Sequence, residues 1–162
     1  MTRPIRAILL ALCLTVATAV PALAQTTFTL DGHFREGFGR AASSEPCDLA
    51  PPFCGSGNVR GLGDATTLDF EDDTKTITLV SDGSTLVMNE EFVSFTTPGG
   101  SGEAPGMLVS FGNPFFLVVS WEADAEASTG IFEGATGSGI TTTTGAGDVL
   151  IVDTNGTLIL AD

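Results

Sequence analysis

Between Gln25 and Asp162 no set of apolar residues recurs at three- and four-residue spacing, so no amphipathic helix can be drawn through this stretch. Short runs alternate apolar and polar residues instead, and glycine, asparagine and aspartate separate them. Thr76-Ile77-Thr78-Leu79-Val80 is one such run. The composition agrees: threonine, valine and phenylalanine suit a pleated, half-buried surface. With no helices to cover it, a parallel sheet is excluded. The choice is an antiparallel closed barrel of about eight strands or a two-sheet sandwich. The succession of hairpins and glycine-rich bends favours the barrel, because closure needs kinks and removes unpaired edges.

The expected strands are as follows. Gln25 to Arg40 forms one strand, or two around a bend at Gly32 or Gly37. Ala41 to Gly63 is a long irregular segment. Ala65 to Phe70 is extended. Thr76 to Val80 turns at Asp82-Gly83 into a run from Ser84 to Thr97. Pro98 to Gly106 is a loop. Met107 to Phe111 and Phe115 to Ala125 follow. Val149 to Asp153 and Thr157 to Leu160 flank Asn155-Gly156, which reads as a tight hairpin turn. Asn155-Gly156-Thr157 also matches a glycosylation acceptor, but the turn already explains it.

Residues 1–24 read as a secretory signal. Arg3 and Arg6 form a basic start, Ala7 to Val20 is apolar, and Ala22-Leu23-Ala24 fits a cleavage site before Gln25. The apolar run is shorter than the roughly 20 residues a membrane-spanning helix needs. Residues 25–162 are then one β domain, secreted to a periplasm or the extracellular space, with no transmembrane segment after cleavage. The whole chain carries a net charge of −14, and loss of Arg3 and Arg6 makes it two units more negative. Arg35, Arg40, Arg60 and Lys75 are the only basic side chains left. Such a surface repels phosphate backbones, which excludes nucleic-acid binding.

Cys47 and Cys54 are the cysteines left after cleavage. In an exported protein, a pair this close reads as a disulfide pinning the irregular segment, worth about 2–3 kcal/mol. The spacing is not that of a redox pair, and His33 is the sole histidine, so a metal site on these cysteines has little support.

The run Thr129-Gly130-Ile131-Phe132-Glu133-Gly134-Ala135-Thr136-Gly137-Ser138-Gly139 resembles the late hairpin of the allene oxide cyclase and dirigent barrel group. Plant members carry a similar Gly-Ile-Phe-Glu-Gly run there. The fuller form is similar to a set of secreted bacterial proteins of unknown function. Gly57-Asn58-Val59-Arg60-Gly61-Leu62-Gly63 resembles their early turn, and Asn155-Gly156-Thr157-Leu158 their closing strand. The resemblance implies an eight-stranded antiparallel barrel with an apolar interior. It carries over no catalytic residue: the chain has no tyrosine, and its cysteine pair sits in a loop.

No nucleophile–base arrangement is visible. His33 has no Gly-x-Ser-x-Gly elbow to serve, and Ser101 stands in a glycine loop without support. Glu122, Asp124 and Glu126 would share one face of an extended segment, and such aligned carboxylates suit calcium. Asp69, Glu71, Asp72 and Asp73 form a second cluster. Neither has the spacing of a known calcium loop, so no metal or other cofactor is assigned. The strongest functional lead is the apolar face formed by Phe115, Leu117, Val119 and Trp121, which is expected to line the barrel interior. The expected function is a non-enzymatic module that binds a small lipophilic ligand there, or an exported structural component. A cyclase-like isomerase and a calcium-dependent surface protein are the alternatives.

Overall fold

The computed structural model describes residues 25–38, 53–70, 73–102, 114–146 and 149–161. Their strands in chain order are β1 (Thr26–Phe38), β2 (Phe53–Val59), β3 (Gly63–Asp69), β4 (Thr74–Leu79), β5 (Thr85–Thr97), β6 (Gly100–Gly102), β7 (Phe115–Ala123), β8 (Thr136–Ala146) and β9 (Val149–Leu160). All pairings are antiparallel. The sheet runs β4-β3-β2-β1-β9-β8-β7-β5, and a β4–β5 pairing joins its two ends. The result is an eight-stranded closed barrel, with β6 a short extra strand on the end of β5. The sandwich is thereby excluded. Among the described residues no helix is long and apolar enough to cross a membrane.

Alternation along each strand sends one residue set inward. In β4 these are Lys75, Ile77 and Leu79, and in β1 Leu30, Phe34 and Glu36; all are buried. One end of the barrel is sealed by the loop between β7 and β8. There a single 3-10 turn, Gly130–Phe132, drives Phe132 and then Ala135 into full burial in the apolar core. Ser84 and Ser128 anchor this plug. Ser84 Oγ accepts from Ile131 N at 3.1 Å, and Ser128 Oγ accepts from Val87 N at 3.0 Å. Gly130 and Gly134 adopt φ of 64° and 70°, the left-handed conformation that favours glycine, which explains their place in the run.

Three expectations about local structure are corrected. β1 is one unbroken strand, without a bend at Gly32 or Gly37, because β9 pairs with it from Thr26 to Gly37. The irregular segment ends earlier than expected, since residues 53–59 form β2. Its glycines are there for room: a Cβ on Gly57 would overlap the Phe34 ring, and one on Gly55 would overlap the Glu36 side chain. Most instructive is Asn155-Gly156, which is not a turn. β9 passes straight through it, with Asn155 opposite Asp31 and Ile140, and Gly156 opposite Leu30 and Gly139. The glycines are needed here by Trp121, whose ring lies against Gly156 and Gly139. The expected turn at Asp82-Gly83 does join β4 to β5, with Gly83 at φ 76°. The Met107 to Phe111 strand lies outside the described residues.

Gly156→Ala adds a Cβ that collides with the Trp121 ring and the Ser138 carbonyl. It should destabilise the barrel by about 1–3 kcal/mol, the cost of overpacking. Urea unfolding followed by the fluorescence of this single tryptophan measures it; an unchanged midpoint would show that the ring is not packed as described.

Candidate functional site

The inward face of β7 carries Phe115, Leu117, Val119 and Trp121. Phe115 and Trp121 are buried, and Leu117 and Val119 are half-buried. Their register partners on β8 are Gly145, Thr143, Thr141 and Gly139, of which the two threonines are buried. Phe95 of β5 stacks on Phe115 at a centroid distance of 5.7 Å. Phe116, by contrast, points outward and is exposed.

Behind this apolar wall the interior holds charge. Lys75 and Glu36 have side chains only 1% exposed, and Lys75 Nζ lies 2.7 Å from Glu36 Oε1. Asp69 Oδ2, on β3, is 3.6 Å from the same nitrogen. Glu90, on β5, is the register partner of Trp121 and completes the group. Three carboxylates thus surround one ammonium inside the barrel. Burial pushes the Glu90 carboxyl up to about 7; the Lys75 charge opposes this, and Asp69 and Glu36 add to it. Burial also raises Asp69, against the pull of Lys75. Burial alone would lower Lys75, but Glu36, Asp69 and Glu90 outweigh it and hold it above its ordinary value.

Several buried polar atoms here have no hydrogen-bond partner among the described residues: Glu90 Oε1, Thr67 Oγ1 and Trp121 Nε1. Glu36 Oε1 is not among them, because Lys75 Nζ engages it at 2.7 Å. Thr67 precedes Asp69 by two residues on the same face of β3 and is fully buried. Most buried polar groups in folded proteins are satisfied, so three exceptions among inward side chains mark the place where the interior is least self-sufficient.

Sequence reading did not find Glu36, Thr67, Lys75 or Glu90 as site residues, and placed Asp69 in a turn cluster. A signal was present. Lys75 keeps the two-residue phase of Ile77 and Leu79, and Glu36 that of Leu30 and Phe34, so both had to face inward. That they meet follows only from ring closure.

The other candidates resolve differently. His33 is on the outside wall with both nitrogens engaged: Nδ1 lies 2.6 Å from Asp153 Oδ1 and Nε2 3.0 Å from Asp31 Oδ1. The hydrogen bond to Asp153 raises its pKa, partly offset by desolvation, and the charges of Asp153 and Asp31 add to the rise. Clamped at both ring nitrogens by Asp153 and Asp31, His33 is a surface brace with neither nitrogen free for proton transfer. Glu122, Asp124 and Glu126 do not share a strand face. β7 ends at Ala123, and Asp124 Oδ1 accepts from the Glu126 and Ala127 N–H groups at 3.0 Å each, which turns the chain. Asp69 points inside, and Glu71 and Asp72 lie outside the described residues, as does Ser101's side chain. Among the described residues no group of three or more His, Cys, Asp and Glu side chains is set to hold a metal ion. Cys54 is fully buried on β2; Cys47 lies outside the described residues.

Comparison with protein-family models, curated proteins and solved structures finds no match.

Two substitutions separate the roles in the cluster. Lys75→Met leaves buried Glu36 and half-buried Asp69 and Glu90 without their cation and should destabilise by about 3–5 kcal/mol. Glu90→Gln acts in the opposite sense with pH. The folded protein holds the Glu90 proton up to about 7, whereas the unfolded chain releases it near 4.5, so this group makes the native state lose stability as pH rises through that window. Glutamine carries no such loss. Relative to wild type, Glu90→Gln should therefore gain in melting temperature from about pH 5 to about pH 8. A difference that is flat with pH would place Glu90 in water.

Proposed function

We propose that residues 25–162 are an exported, non-enzymatic β-barrel module that binds one small, largely apolar ligand inside the barrel. The observation that carries this reading is the set of unpartnered buried polar atoms in a barrel whose β7 wall presents half-buried Leu117 and Val119. A barrel filled only for stability has no use for Lys75, since replacing a buried ion pair by apolar side chains is commonly neutral or stabilising. Small barrels of about eight strands are wide enough to hold one small ligand. An apolar wall with a few convergent polar atoms is the usual lining of such a site. Kinship with the cyclase and dirigent barrels fits the closed eight-stranded ring, and rests on the glycine motif around Gly130 to Gly139.

Screening a lipophilic library should find compounds that raise the melting temperature and alter Trp121 emission. At a hundredfold excess over Kd the gain is about 2.7 kcal/mol. If no compound moves either signal, and a paired Lys75→Met, Glu36→Leu variant is more stable without other effect, the interior is structural and the reading fails.

A second, enzymatic reading is favoured by Glu90 alone. A buried carboxyl titrating near neutrality is suited to proton transfer, as an isomerase or cyclase folding a lipid-derived substrate would use it. Turnover of an allene oxide that Glu90→Gln abolishes would replace the binding reading.

Export and the Cys47–Cys54 disulfide belong to the same proposal. The basic start, the uncharged stretch and Ala22-Leu23-Ala24 support cleavage before Gln25, and burial of Cys54 suits a sequestered sulfur. Intact-mass measurement of the protein recovered from outside the cytoplasm should give a chain starting at Gln25 and lighter by two hydrogens than its reduced form. A retained Met1 or two free thiols would refute this part.

A further inference from the structure

We infer that the polar head accepted inside the barrel is a protonated amine: the ligand is a lipophilic alkylammonium, with its cation among Glu36, Asp69 and Glu90 and its chain along Val119 and Leu117. This rests on the interior-binding reading above and names its ligand class.

Glu36, Asp69 and Glu90 come from three strands, β1, β3 and β5, and face one another inside the ring with a single lysine, Lys75 of β4. Lys75 is committed at 2.7 Å to Glu36 and stands farther, at 3.6 Å, from Asp69. Glu90 feels the Lys75 charge, but among the described residues it makes no close ion pair with it. The neutral polar neighbours are Thr67 of β3, Thr141 of β8 and Trp121 of β7, and none supplies a positive charge. An anionic head would add a fourth negative charge to a low-dielectric space, which excludes fatty acids and phosphates. A neutral hydroxyl would supply one hydrogen-bond donor but leave the charge excess in place. A compact cation with several N–H donors relieves both deficits, since it pairs with Glu90 and offers hydrogens to Glu90 Oε1 and Thr67 Oγ1. Thr67 is fully buried with its hydroxyl unpartnered, so the cluster is more than an acidic patch.

The surroundings suit the rest of such a molecule. Trp121 is the register partner of Glu90 across β5 and β7, and its ring leans over Gly139 of β8 and Gly156 of β9. From Trp121 the inward face continues through half-buried Val119 and Leu117 to Phe115, a continuous apolar strip for a hydrocarbon chain. A bare metal ion lacks a use for that strip, and the described residues present no metal-binding group.

Without the ligand, the excess charge is met by a proton on Glu90. An ammonium takes that proton's place, so binding and deprotonation are linked. Below about pH 7 the affinity should fall by up to tenfold per pH unit, and above it the slope should level off.

The test uses dodecylamine, dodecanol and dodecanoate below their micelle concentrations, titrated into the mature barrel and read through its single tryptophan, Trp121. Dodecylamine is expected to bind at least tenfold tighter than the other two, with the pH slope above, and to survive high salt that strips cations from an acidic surface. Glu90→Gln should remove the slope and most of the amine preference. The slope in the unaltered protein tests the same point should that variant fail to fold. Equal or tighter binding of dodecanol or dodecanoate, a slope unchanged in Glu90→Gln, or loss of the amine at high salt would overturn the amine assignment and leave interior binding standing. No response to any of the three at any pH would overturn both.

Discussion

Everything inside this protein depends on the pairing of β4 with β5. Without it the eight strands form an open sheet with two bare edges, and the inward face is only one side of a ribbon. The five register pairs from Thr74–Asn89 to Thr78–Thr85 join the ends. Every inward side chain then shares one enclosed space and must be accommodated by all the others. The glycines at 55, 57, 139 and 156 are answers to that demand, each standing where a larger inward side chain from another strand needs its volume. The same closure removes edge groups that invite aggregation.

Enclosure also turns a scatter of charges into a balance. On an open sheet, Glu36, Asp69, Lys75 and Glu90 would each be hydrated, and their mutual attraction would be small. Inside the ring they lose water together. Burial makes Glu90 less acidic against the pull of Lys75, and the carboxylates make Lys75 more basic against its own burial. The cluster holds more negative than positive charge, and its chemistry follows from how that excess is met. The outer wall offers a contrast. Asp31, His33, Asp153 and Arg60 form an alternating chain of ion pairs at similar distances, but in water, where such contacts act as modest braces.

Much of this was legible in the chain. Period-two alternation in Thr74–Leu79, the turn at Asp82-Gly83 and the inward face of Phe115 to Trp121 were readable, because each depends on residues close in sequence. The errors share one cause. Asn155-Gly156 has the residues of a hairpin turn, and Gly55 and Gly57 those of a loop, but both sets are spent on side chains far away in sequence. Local chemistry gives glycine two meanings, a positive φ or the absence of a Cβ, and only the neighbour decides between them. The acidic run after Trp121 failed for a related reason: Asp124 bonds to the next backbone N–H groups and ends the strand before the expected face can form.

The sequence by itself determined that the chain is all-β, which residues alternate, and that Lys75 and Glu36 belong to inward-facing positions. Those are consequences of side-chain period and backbone preference, which are local. Which inward residues meet was decided only by the tertiary structure. Strand order and register are long-range choices, and they bring Glu36, Asp69, Lys75 and Glu90 from four separate strands to one place. The chain states the charges; the closed ring decides that they must neutralise one another.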